Sequence, residues 1–114
     1  MSGWQLVIRH GPRVARESFN NLEEAIAAME RRVAEIRAEG PLDEIGALRD
    51  HEPGQRVHAR LELSSGGLLR GTEAGMDVMG DGALVPYLGV IRKRKLEPAR
   101  GQSVFDALRG ALTR

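Results

Sequence analysis

Leu22, Ile26, Met29, Val33 and Ile36 recur at spacings of 4, 3, 4 and 3 residues, and this stripe constrains the fold more than any other feature of the chain. Positions three and four apart share one face of an α-helix, so these five side chains must be covered from a single side. Asn21 stands where an N-cap belongs, with Glu24 three residues on, the spacing of a capping box. Gly40-Pro41 ends the pattern, because glycine accepts a left-handed cap and proline cannot continue a helix. The spacing predicts a helix over residues 22–39 with Glu23, Ala27, Glu30, Arg31 and Arg37 off the buried face.

The flanking segments alternate with period two instead. Trp4, Leu6 and Ile8 alternate with Gln5, Val7 and Arg9, His10-Gly11-Pro12 supplies a turn, and residues 13–19 return as a half-exposed or edge strand. After a loop over 41–54, with one helical turn near 43–48, Val57, Ala59, Leu61 and Leu63 face one way and His58, Arg60 and Glu62 the other. Ser64-Ser65-Gly66-Gly67 reads as a turn. Residues 68–79 read as a strand interrupted by Gly71 and Gly75, each a candidate bulge or bend. Gly80-Asp81-Gly82 signals a hairpin, a last strand is read over 83–95 with Pro86 at an edge or irregular position, and Ser103 caps a short helix carrying Val104, Phe105, Leu108 and Leu112. The order is ββαβββα. It is satisfied by an α+β fold: an antiparallel sheet with the main helix packed on one face and a short C-terminal helix. The 114 residues fit one domain, with 96–102 suited to a linker that lets the last helix pack away, even on a neighbouring chain.

With aromatics at 4%, the interior must be aliphatic, and Trp4, Phe19, Tyr87 and Phe105 are the only rings. The absence of cysteine excludes disulfides, thiolate metal sites and a cysteine nucleophile. No basic region followed by an apolar run opens the chain, and no stretch reaches the roughly 18 apolar residues of a membrane span, so cytoplasmic residence without membrane contact is expected.

The net charge of +1 is unevenly spread: residues 1–16 carry +3, 17–52 carry −6, 53–85 carry −1 and 86–114 carry +5. Its sharpest feature is the run Arg92-Lys93-Arg94-Lys95, which places cations on both faces of a strand. Arg9, Arg13 and Arg16 on the first hairpin, and Arg100 downstream, are positioned to extend it into a patch. Such a patch attracts phosphate backbones by counterion release. Interleaved aromatics for base stacking are missing, and charged residues on an edge strand also serve simply to block unwanted pairing.

No catalytic constellation is legible, and no cofactor is implied. His10 falls in a turn, His51 in a loop and His58 on an outward strand face, without the HExxH spacing of a metal helix, so all three read as solvated; only folding would bring His51 and His58 together. Asp43, Glu44, Asp50 and Glu52 read as a solvated loop, and Asp81 beside Gly82 as a turn residue. Ser64-Ser65-Gly66-Gly67 has neither a nucleophile elbow nor a phosphate loop around it.

The segment Trp4-Gln5-Leu6-Val7-Ile8-Arg9-His10-Gly11-Pro12-Arg13, with Phe19 and Leu22-Glu23-Glu24-Ala25, resembles the hairpin-then-helix pattern of the N-terminal arm-binding domain of tyrosine integrases. That resemblance implies a small sheet in contact with DNA. The whole chain also resembles small proteins of high-GC bacteria, which implies no activity. The residues themselves favour a non-catalytic interaction module that forms a homodimer. The alternatives are non-specific nucleic-acid binding through Arg92, Lys93, Arg94 and Lys95 helped by Arg9 and Arg13, and a ligand or enzyme site between helix and sheet in which Asp77, Tyr87 or His58 would take part.

Overall fold

Gly11 and Pro12 make the first corner of the chain. Gly11 has φ 62, whereas proline is confined to negative φ, so the two-residue loop carries positive φ at its first position only, as a type II′ turn requires. It joins β1 (Trp4–His10) to β2 (Arg13–Phe19) in register from Trp4↔Phe19 to His10↔Arg13. The computed structural model describes residues 3–39, 57–65, 73–89 and 94–113. Beyond the hairpin these form α1 (Leu22–Ala38), β3 (Val57–Ser65), β4 (Glu73–Met79), β5 (Leu84–Leu88), β6 (Arg94–Lys95) and α2 (Val104–Leu112).

The strands build one antiparallel sheet in the order β2-β1-β3-β4-β5-β6. Because β1 is antiparallel to both neighbours, β2 and β3 run parallel, and parallel strands need a long crossover. The stretch containing α1 supplies it. Asn21 caps α1 by accepting the Glu24 amide at 2.9 Å, and Glu39 forms the C-cap. Ala25, Ile26, Ala28, Met29, Val33 and Ile36 are buried against Leu6, Ile8, Ala59, Leu61, Leu63, Ala74, Met76 and Val78. The stripe therefore finds its cover in alternate residues of the central strands. Gly40-Pro41, the 41–54 loop, Gly66-Gly67 and residues 68–72 lie outside the described residues.

The strand expected over 83–95 is two strands. β5 ends at Leu88, Gly89 has φ 85, and β6 lies antiparallel to β5 through Tyr87↔Lys95 and Leu88↔Arg94. Pro86 sits in the penultimate strand, not the edge, and its tolerance has a geometric cause. Its carbonyl accepts the Leu96 amide at 2.9 Å, so the polar side of residue 86 points away from β4 and the missing N–H removes no bond from that ladder.

Ser103 accepts the Asp106 amide at 3.0 Å and starts α2, which packs on β4, β5 and α1 of its own chain with Leu108 fully buried. The 96–102 stretch thus returns the helix to the same sheet face. Arg109 ties α2 to α1 through Glu23 at 2.7 Å. Both helices cover one face, leaving the other to Val7, Arg9, Val14, Arg16, Arg60, Glu62, Gly75, Asp77, Val85 and Tyr87. Among the described residues no helix is long and apolar enough to cross a membrane.

Candidate functional site

The one departure from regular pairing brings together groups that the sequence kept apart. Val57 pairs with Met79 and Ala59 with Val78, so β3 spends two residues where β4 spends one, and His58 is the extra residue of a β-bulge. Strict alternation would send His58 outward beside Arg60. The bulge instead re-aims it toward β1. There His10, on the same face as Leu6 and Ile8, meets it with Nε2 atoms 2.8 Å apart and rings edge to face at 4.7 Å between centroids. Glu39, held by the end of α1, places Oε1 3.5 Å from His10 Nε2. The donor atoms of His10, Glu39 and His58 all lie within 4.8 Å of one another. The two imidazoles are half-buried and the carboxylate is exposed.

This is the arrangement the sequence reading missed. His10 and His58 are not solvated singly; they are mutual neighbours. Val57, read as inward, is 45% exposed for the same reason, since the bulge inverts the phase of the strand below Ala59. A period-two pattern carries no signal for one inserted residue. His51, Asp43, Glu44, Asp50 and Glu52 lie outside the described residues.

A second polar cluster lies on the sheet face away from the two helices. Arg60 and Asp77 are direct cross-strand partners, joined by Arg60 Nε to Oδ1 at 2.8 Å and Nη2 to Oδ2 at 3.2 Å. The guanidinium also stands 6.0 Å from the centre of the Tyr87 ring. Hydrogen bonding to Asp77 raises the Arg60 pKa further above its ordinary value. Burial first, and the negative charge of Asp77 next, push the Tyr87 phenol well above its usual range. Tyr87 lies opposite Gly75, where a Cβ would run into its ring and stand 2.8 Å from the Leu61 carbonyl oxygen. Gly75 is therefore a place of close approach; pairing runs through it without a bulge. Asp77 and Tyr87 face away from the helices, so they do not line a helix–sheet pocket.

Among the described residues, the cations singled out by the sequence do not form one patch. Arg94 and Lys95 are exposed on β6 at one edge, whereas Arg9 and Arg13 lie on β1 and β2 at the other. At about 4.8 Å per strand, four or five strand spacings separate them by roughly 20 Å or more. Arg9 is also paired with Glu62 at 3.1 Å. Arg92 and Lys93 lie outside the described residues. A shallow cavity of about 250 Å³ lies between α2 and β5–β6, lined by Leu88, Arg94, Leu96, Glu97, Gln102 and Ala107 among others. It gathers none of the histidines.

Comparison with protein-family models, with curated proteins and with solved structures finds no match to this chain.

Proposed function

We propose that the chain is a non-catalytic interaction module that self-associates through β2. The observation carrying this reading is that a seven-residue strand stands at the sheet edge with one side of its backbone unclaimed by β1. Such an edge is a template for another strand. The two-residue turn makes His10 and Arg13 the closing hydrogen-bonded pair, so alternate residues Arg13, Ala15, Glu17 and Phe19 address β1. Val14, Arg16 and Ser18 then direct their N–H and C=O groups outward.

Side chains favour one self-pairing register. A two-fold axis normal to the sheet requires facing residues of like parity. Centring the axis on Arg16 or on Glu17 would set like charges directly opposite, which is destabilising. Centring it on Ala15 sets Ala15 against Ala15, Val14 against Arg16, and Arg13 against Glu17 of the second copy. The last pair is attractive, and the small central residue admits close approach. Continuing the sheet across the axis also extends the open face, on which Val14 is 47% exposed.

Equilibrium sedimentation tests this directly. The expected result is a dimer at micromolar concentration, converted to monomer by Arg16→Pro, which removes an outward donor and leaves the β1 ladder intact. Arg13→Glu, which turns that cross-axis pair repulsive, should weaken the dimer. A chain that stays monomeric at high micromolar concentration, or a dimer indifferent to Arg16→Pro, would refute the reading.

A further inference from the structure

We propose that His10, His58 and Glu39 form a binding site for a divalent transition-metal ion of the zinc class. The site goes beyond self-association and does not depend on it. Three features of the geometry carry it. First, the three ligand atoms come from separate elements: the end of β1, the bulge of β3 and the C-cap of α1. Their convergence within 4.8 Å is a property of the fold and of no local motif. Second, the only register shift in the described sheet is the one that turns His58 onto His10. Bulges commonly re-aim a side chain in this way next to working sites.

Third, the donor set matches the ion. Two imidazole nitrogens and one carboxylate oxygen are nitrogen and oxygen ligands of borderline character, which suit zinc and its neighbours better than magnesium or calcium. Ligand atoms about 2.0–2.1 Å from a tetrahedral ion stand roughly 3.3 Å apart. The His10–Glu39 separation of 3.5 Å is close to that value, and the His10–His58 pair at 2.8 Å needs to open by only about half an ångström. Water would take the fourth position. Without an ion one imidazole must donate to the other; with an ion both Nε2 lone pairs point to the metal and both protons move to Nδ1. The half-buried rings are held by the sheet, while the exposed carboxylate is free to close on the ion.

Such an ion would join the C-terminus of α1 to the sheet, so binding is linked to folding. The test uses the full chain, stripped of metal with a chelator and titrated with zinc chloride in a calorimeter. One ion per chain should bind with a micromolar dissociation constant, and zinc should raise the melting temperature. Cobalt(II) in place of zinc should give the absorption bands of a low-symmetry tetrahedral site. Glu39→Gln and His58→Ala should each weaken binding by more than about tenfold, the scale on which disturbing even the outer shell of a metal site acts. Glu39 is exposed enough that its substitution leaves the fold intact. Glu97→Gln, an exposed carboxylate beside the opposite edge of the sheet, should leave affinity unchanged, and Arg16→Pro should bind zinc as the parent chain does. No saturable binding below about 100 μM, affinity unaffected by Glu39→Gln and His58→Ala, or equal loss with Glu97→Gln would each overturn the assignment.

Discussion

The sheet carries two polar clusters, and they are opposites. On the face away from the helices Arg60 and Asp77 meet within regular pairing and exhaust one another: a guanidinium fork faces both carboxylate oxygens, with the Tyr87 ring alongside. At the rim His10, His58 and Glu39 meet only because the pairing is irregular, and there acceptors outnumber donors. Regular registry sets complementary charges opposite each other and closes a cluster. A bulge brings in a side chain that registry would not have placed, and leaves a set of lone pairs to be used.

The two clusters must therefore respond differently to loss of a carboxylate. Asp77→Ala leaves a guanidinium with no partner at a site where the aspartate side chain was 12% exposed. Breaking a buried pair this way costs about 3–5 kcal/mol. Arg60 is about one-third exposed and can partly rehydrate, so a loss near about 2–3 kcal/mol is expected. Glu39→Gln should cost under about 0.5 kcal/mol without added metal, as a surface change away from packing does. Urea unfolding of both variants in chelator measures the gap. Equal losses would erase the distinction.

Next in size is Gly75→Ala. The added methyl meets the Tyr87 ring and the Leu61 carbonyl, so overpacking of about 1–3 kcal/mol follows. Tyr87→Leu in the same chain should recover part of it, because the ring is the movable obstacle. A Gly75→Ala chain as stable as the parent would mean that Tyr87 does not lie across that position.

These two residues also mark how far the sequence could be read. The helix stripe, its Asn21 cap, the first hairpin and the alternation of Leu61 and Leu63 each follow from local periodicity and turn chemistry, and each is found. The α+β sheet with both helices on one face follows in turn, since one stripe needs one cover. What local rules do not encode is an insertion of one residue against a partner strand 20 positions away. The bulge at His58 therefore went unread, and with it the His10–His58–Glu39 convergence. Gly75 was legible as a break in strand chemistry, but its cause, a ring from β5, depends on pairing. The split of 83–95 into β5 and β6 was masked for a related reason: its apolar and basic stretches run on without a strong turn signal, and only Gly89 marks where the chain bends.

The smallest effect concerns the closed cluster and appears only in alkali. Tyr87 is 2% exposed, and burial holds its phenol above the ordinary value of about 10. A group whose folded pKa is raised keeps its proton in the fold where the unfolded chain has released it. Its contribution is therefore complete below about pH 10 and lost as pH rises through the folded value, at up to about 1.4 kcal/mol per pH unit. Stability of the parent chain should fall between about pH 10 and 11 more steeply than that of Tyr87→Phe, which shares every other titrating group. Because the chain contains one tyrosine, tyrosinate absorbance reports the same event without assignment. It should appear late in the native chain and near pH 10 in urea. Parallel stability curves for parent and Tyr87→Phe, with a native phenol that titrates as the denatured one does, would show that the Tyr87 ring is as open to water as the histidine rim.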